Sequence, residues 1–273
     1  MTEAASAPGT SVSDDTQVND IVGRGGVFSA TGFSWAMLEF ARIPFYLLVV
    51  IYLFVPTYFA KVVAGGGPQG QAVVASISMW AGIIGAITAP VLGAMVDQGG
   101  RRKPLLAAFL ACLALGAFSL WFVRPEGQGI GVLGGSLILV CCYLLYTYTE
   151  VMHNAMLPLA GRASSLPSIS GMGLALGNFA GVFLFIALLL LFLLPANPNI
   201  DWGFLPSKPL FGLDPETHEI IRMAGPLAAV WMAIFAVPYF LYMPDGAKPG
   251  ASWYSAARDL LGLTEANKAA EKQ

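Results

Sequence analysis

The stretch GAMVDQGGRRKP, Gly93 to Pro104, sets an aspartate, three glycines and three basic residues between two long apolar runs. Charge is scarce around it. Of the 273 residues, 11% are charged and 56% are hydrophobic, and the mean hydropathy is +0.69. A soluble domain carries about 25% charged residues. The composition therefore makes this an integral membrane protein, and Gly93–Pro104 a polar turn joining two membrane-spanning runs. The net charge of -2 offers no basic surface to nucleic acid.

Working outward from the turn, six segments reach the roughly 20 apolar residues needed to cross a bilayer core. They run over about 33–62, 72–96, 104–123, 130–156, 169–195 and 222–243. The fold class expected is an all-α integral membrane protein with six transmembrane helices, preceded by a disordered tail over 1–30. The bundle occupies 31–245, and 246–273 forms an amphipathic segment and linker. The connection over 196–221 is long and rich in proline and aromatic residues. With the N-terminus inside, Arg24, Arg101, Arg102, Lys103, Arg162, Lys248, Arg258, Lys268 and Lys272 gather on the cytoplasmic side. Cytoplasmic loops collect Lys and Arg, so both termini are expected in the cytoplasm of a bacterial inner-membrane protein. Residues 1–28 lack the basic start and short apolar core of a signal peptide. Pro44, Pro56, Pro90, Pro226 and Pro238 fall inside spans, where each frees a backbone carbonyl and bends the helix.

Little else suggests bound chemistry. Cys112, Cys141 and Cys142 lie inside apolar runs with no metal or disulfide spacing. No phosphate-binding glycine loop is present, so any transport would be driven by gradients, and no cofactor is implied. Ser136 and Ser170 lack the G-x-S-G context of an intramembrane protease, so no enzyme activity is expected.

The spacing in the turn is informative. Gly93, Asp97, Gly100 and then Arg101, Arg102 and Lys103 form G-x-x-x-D-x-x-G-R-R-K. This resembles the loop between the second and third spans of the major facilitator superfamily. The resemblance implies a gate, with Asp97 helping to hold two six-helix halves together, Arg101 near it, and Gly93 permitting close helix approach. The bland alternative is a topogenic basic anchor. Further along, NAMLP at Asn154–Pro158 and SISGMGLALGNFAG at Ser168–Gly181 resemble the vacuole-effluxer-like branch of that superfamily. FSWAMLEFAR at Phe33–Arg42 resembles its first-span opening, with Glu39 where an aspartate is usual. The best-known members of that branch are amino-acid effluxers.

Ionisable residues inside spans mark candidate sites. Trp35, Glu39, Arg42 and Tyr46 recur at i, i+4, i+7 and i+11, on one face of the first helix. Tyr143, Tyr146, Glu150 and Asn154 form a similar stripe on the fourth, with His153 at its edge near the membrane surface. At 1.5 Å per residue, Glu39 and Glu150 lie about 9 Å from the same membrane face. In the superfamily the first and fourth helices line a central cavity, so the stripes could face each other. Arg42 then either forms a structural pair with Glu39 or Glu150, or binds a substrate carboxylate beside a proton-carrying acid, or snorkels to the interface. Gly173, Gly177 and Gly181 recur every four residues on the fifth span and suit close helix packing; Asn178 beside them could reach a cavity.

One six-span set is half of a major facilitator fold. The leading expectation is a secondary-active transporter, or half-transporter, for a small polar metabolite of amino-acid-like character. It sits in the lipid bilayer and needs a second six-helix half, supplied by a separate chain or by another copy. The alternative is a non-transporting scaffold or assembly subunit of a larger membrane complex.

Overall fold

The computed structural model describes residues 25–98, 101–125, 127–197, 199–200 and 202–245, with the backbone alone at 97 and 98. The tail over 1–24 and the amphipathic segment over 246–273 lie outside the described residues. Six helical stretches are long and apolar enough to cross a membrane: Ala30–Tyr52, Gly67–Val96, Arg102–Phe122, Val132–Ala155, Ala163–Leu193 and Glu219–Tyr242. They match the segments read from sequence to within a few residues at most ends. Among the described residues the one β feature is an isolated bridge, Val123 to Ile130.

The first span is the axis of the bundle. It lies along the fifth and is also packed by the sixth, while the second rests on the fourth and the third on the fourth and sixth. Glycine sets the first contact. A Cβ at Gly177 would collide with Ile43 Cδ1 and come within 2.9 Å of the Glu39 carbonyl oxygen; one at Gly173 would come within 2.9 Å of the Trp35 ring. A Cβ at Gly181 would collide with Leu47. The fifth span therefore approaches the first backbone to backbone, which side chains larger than hydrogen would prevent. Two thirds of the first span is buried, against 17% of the second. The outer faces carry Trp80, Ile83, Ile87, Leu115, Leu133 and Phe183, all exposed. Such a surface suits hydrocarbon.

Prolines shape two spans. After Pro44 the first span widens into π-helical turns over Tyr46–Tyr52, closing with Leu53 N–H on the Leu48 carbonyl at 3.0 Å. Pro44 has no N–H to give its preceding turn, so the helix loosens there. The chain then bends at Leu53 and resumes as Phe54–Val63. The sixth span is built from Glu219–Arg222, Ala224–Phe235 and Val237–Tyr242, with breaks ahead of Pro226 and Pro238. Residues 25–31, within or beside the stretch read as tail, are tied to the loop after the fourth span. Ser29 caps the first helix at Gly32, Thr31 donates to the Ala160 carbonyl at 2.9 Å, and Arg162 N–H donates to the Gly25 carbonyl at 3.1 Å.

Candidate functional site

The two polar stripes meet. Glu39, Arg42 and Tyr46 of the first span face Tyr143, Tyr146, Thr147 and Glu150 of the fourth across a cavity of about 600 Å³. Leu174 and Asn178 of the fifth span close one side, and Ile43, Leu47 and Val50 give it an apolar wall. Helical periodicity puts each set on one face, and the Pro44 bend with its wide turns carries Tyr46 onto Tyr146. Those two rings stack at 5.3 Å.

Arg42 organises the electrostatics. It is 2% exposed, and an uncompensated charge at that depth costs at least about 3 kcal/mol. Glu39 offsets the cost most directly: Arg42 Nη2 donates to its Oε1 at 2.8 Å. Across the helices, Arg42 Nη1 lies 3.8 Å from Glu150 Oε2. The guanidinium also sits 4.8 Å over the Tyr146 ring, a cation–π contact. Both pairings read from sequence thus occur together. Arg42 Nε and Nη1 and Glu39 Oε2 make no hydrogen bond. These atoms are buried; the guanidinium as a group lines the cavity, and its planar fork is of the kind that pairs with a carboxylate or another planar anion. Glu150, half exposed, faces the open part of the cavity.

Behind Glu39 stands His153. The sequence placed it near the membrane surface; the structure buries it completely. Trp35 stacks on its ring at 4.0 Å and donates its indole N–H to the His153 carbonyl at 3.1 Å. His153 Nε2 lies 3.4 Å from Glu39 Oε1, and neither ring nitrogen has a hydrogen-bond partner. Trp35 is therefore set behind the cavity rather than in its wall. Asn154 is exposed and outside the lining. Asn178 does line it, its Nδ2 donating to the Leu174 carbonyl at 2.8 Å. Thr147, four residues after Tyr143, lies on a stripe that periodicity marks and was missed there.

The basic turn is engaged within its own bundle. Asp245, just past the sixth span, accepts the N–H groups of Arg102 and Lys103 at 2.6 and 2.9 Å and pairs with Arg101 Nε at 3.3 Å. Arg102 Nη1 donates to the Ala155 carbonyl at 3.0 Å, and Lys103 Nζ donates to the Met243 carbonyl at 2.8 Å. Asp245 thus satisfies the first N–H groups of the third span and faces the positive end of its dipole. No local sequence signal shows this, since the two partners are far apart in the chain. Gly93 has ordinary room inside the bundle: a Cβ there would sit 4.0 Å from Val151. The Asp97 side chain and Gly100 lie outside the described residues.

Six apolar spans, three of which wall a polar cavity, define a polytopic helical membrane protein. Residues 69–263 match the family model described as vacuole effluxer Atg22 like, and the chain belongs to that family. Glu150, Asn154 and the Gly93–Pro104 turn fall within the match; Phe33–Arg42 precedes it. No curated protein matches the chain.

Proposed function

We propose that the protein is one half of a secondary-active transporter for a small polar metabolite carrying a carboxylate, of the amino-acid type. The observation that carries this is Arg42, in a cavity wall and held there by Glu39 and Glu150. Among the described residues, the cavity is walled by the first, fourth and fifth spans. A second six-helix half, from a separate chain or another copy, would supply the facing wall, in the way that alternating-access folds place the site between halves. In this reading Asp97, at the end of the second span, latches onto that second half, while Arg101, Arg102 and Lys103 are committed to the ends of the fourth and sixth spans. With these basic residues on the cytoplasmic side, as the positive-inside rule favours, both termini face the cytoplasm in this reading.

Mild solubilisation followed by co-purification tests the pairing, and reconstitution of the recovered assembly into liposomes tests the transport. A complementary six-span chain or a second copy, with gradient-driven movement of a carboxylate-bearing solute, is the expected result. Solute movement by a demonstrated monomer refutes the pairing. Recovery with an unrelated enzyme complex, and no solute movement, replaces the transporter by the scaffold.

A further inference from the structure

We propose that His153 is a proton-binding site, loaded from the cavity through Glu39, and that its proton sets how tightly Glu39 holds Arg42. The inference rests on the transporter reading for its purpose.

The geometry is a three-member line. Glu39 lines the cavity and His153 does not, so Glu39 stands between the imidazole and solvent. Its Oε1 is shared: Arg42 Nη2 donates to it at 2.8 Å, and His153 Nε2 stands 3.4 Å away without a hydrogen bond. A wholly buried imidazole with both nitrogens unpartnered is costly in a structural role, because each orphaned polar atom forfeits a hydrogen bond to water. With the neutral ring's proton on Nδ1, protonation at Nε2 sets a positive charge 3.4 Å from a carboxylate oxygen, which offsets part of that cost. Trp35 holds the ring in plane for the contact through its stacking and its bond to the His153 carbonyl.

The groups facing His153 set the balance. From the first span come Glu39, which favours the imidazolium, and Arg42, which opposes it. On its own helix Glu150 and Tyr146 lie one and two turns back. From the sixth span the Tyr239 ring approaches at 5.6 Å, its hydroxyl directed at Met156 Sδ. Arg102 of the third span holds the Ala155 carbonyl two residues on. Against burial and Arg42, the nearby Glu39 carboxylate is the group that favours the imidazolium.

The step balances simply. A proton from cavity solvent adds to a Glu39 oxygen and forms a carboxyl O–H. That O–H bond breaks as the Nε2–H bond forms, leaving a carboxylate beside an imidazolium. Glu39 then neutralises two cations instead of one. Arg42 loses part of its partner and gains attraction for an anionic group in the cavity. Proton and anionic substrate thus load together, which is the coupling a proton-driven carrier requires.

The chain has two histidines, His153 and His218, so ring-nitrogen NMR of histidine-labelled full-length protein in nanodiscs reads the site directly, with His218→Gln assigning the signals. The expected result is a His153 signal that passes from neutral to cationic as the pH is lowered while the protein stays folded. Glu39→Gln moves its midpoint down by about one pH unit, the scale of a lost neighbouring charge. A His153 signal that stays neutral until the protein unfolds, or a midpoint that Glu39→Gln leaves in place, overturns the proposal. An intact, Glu39-dependent titration in a reconstituted assembly that moves no solute supports the site and counts against the transporter reading instead.

Discussion

Two arginines are buried in this bundle, and they are buried differently. Arg222, at the start of the sixth span, is fully buried. Its Nη1 donates to the Trp121 carbonyl at 2.8 Å, its guanidinium lies 4.8 Å over the Trp121 ring, and Glu219 Oε1 stands 3.5 Å from its Nη2. That set ties the sixth span to the end of the third: a backbone acceptor, a ring and one acid from its own helix. Arg42 has two acids and a ring, no backbone acceptor, and a cavity beside it. The lesson is that burial and a cation–π contact do not separate a structural arginine from a working one. Each also keeps two buried donors without a hydrogen-bond partner; what separates them is the kind of partner and the cavity, which Arg42 lines and Arg222 does not. Backbone acceptors lock a guanidinium in place; carboxylates that can be titrated, or drawn elsewhere, leave it adjustable.

The sharpest way to break this comparison is Arg42→Lys. Lysine keeps the charge and loses the planar fork, so solute movement by the reconstituted assembly is expected to fall about 100-fold while the thermal unfolding midpoint barely moves. Unchanged movement would put Arg42 in the same structural class as Arg222. Next in size, Arg222→Ala is expected to cost about 2–3 kcal/mol of fold stability. That lies between the cost of an orphaned buried acceptor and that of a broken buried pair, since Glu219 stays partly wet. Denaturant unfolding in micelles checks it, and ligand affinity per folded molecule should not change. A smaller loss, about 1 kcal/mol, is expected for Asp245→Ala, the usual cost of removing a helix cap. Faster proteolysis between the second and third spans would accompany it, and an unaltered unfolding curve would show the Asp245 contacts to be incidental. Smallest is Tyr46→Phe, which keeps the stack on Tyr146 and should leave both stability and ligand affinity within about 0.5 kcal/mol. A tenfold loss of affinity there would make the Tyr46 hydroxyl, rather than Arg42 alone, a ligand-holding group.

The fold was largely legible in the sequence because a membrane reduces the problem. Each span must satisfy its own backbone, so run length and hydropathy locate the helices, and the 3.6-residue period then collects Glu39, Arg42 and Tyr46 on one face. The period also placed Tyr143, Tyr146 and Glu150 together. It could not say how far a stripe turns from the cavity at its ends. Trp35 and Asn154 are the terminal members of their stripes, and both miss the lining. His153 looked superficial because only its distance from the helix end is visible in sequence; the sixth span, which brings Tyr239 against it, is far away in the chain. Gly173, Gly177 and Gly181 show that a helix comes close but not which one. The π-helical turns after Pro44 were legible only as a bend.

The Asp245 contacts bear on how the bundle is made. The carboxylate that receives the Lys103 N–H lies 142 residues further along the chain. A ribosome delivering the spans in order therefore releases the third one with its leading peptide groups bare, and they stay hydrated until the last span has entered. The clasp between Asp245 and the Arg101–Lys103 turn thus joins an early part of the bundle to a late one. Asp245 follows the sixth span in the chain, so this acceptor exists only once the sixth span has been synthesised.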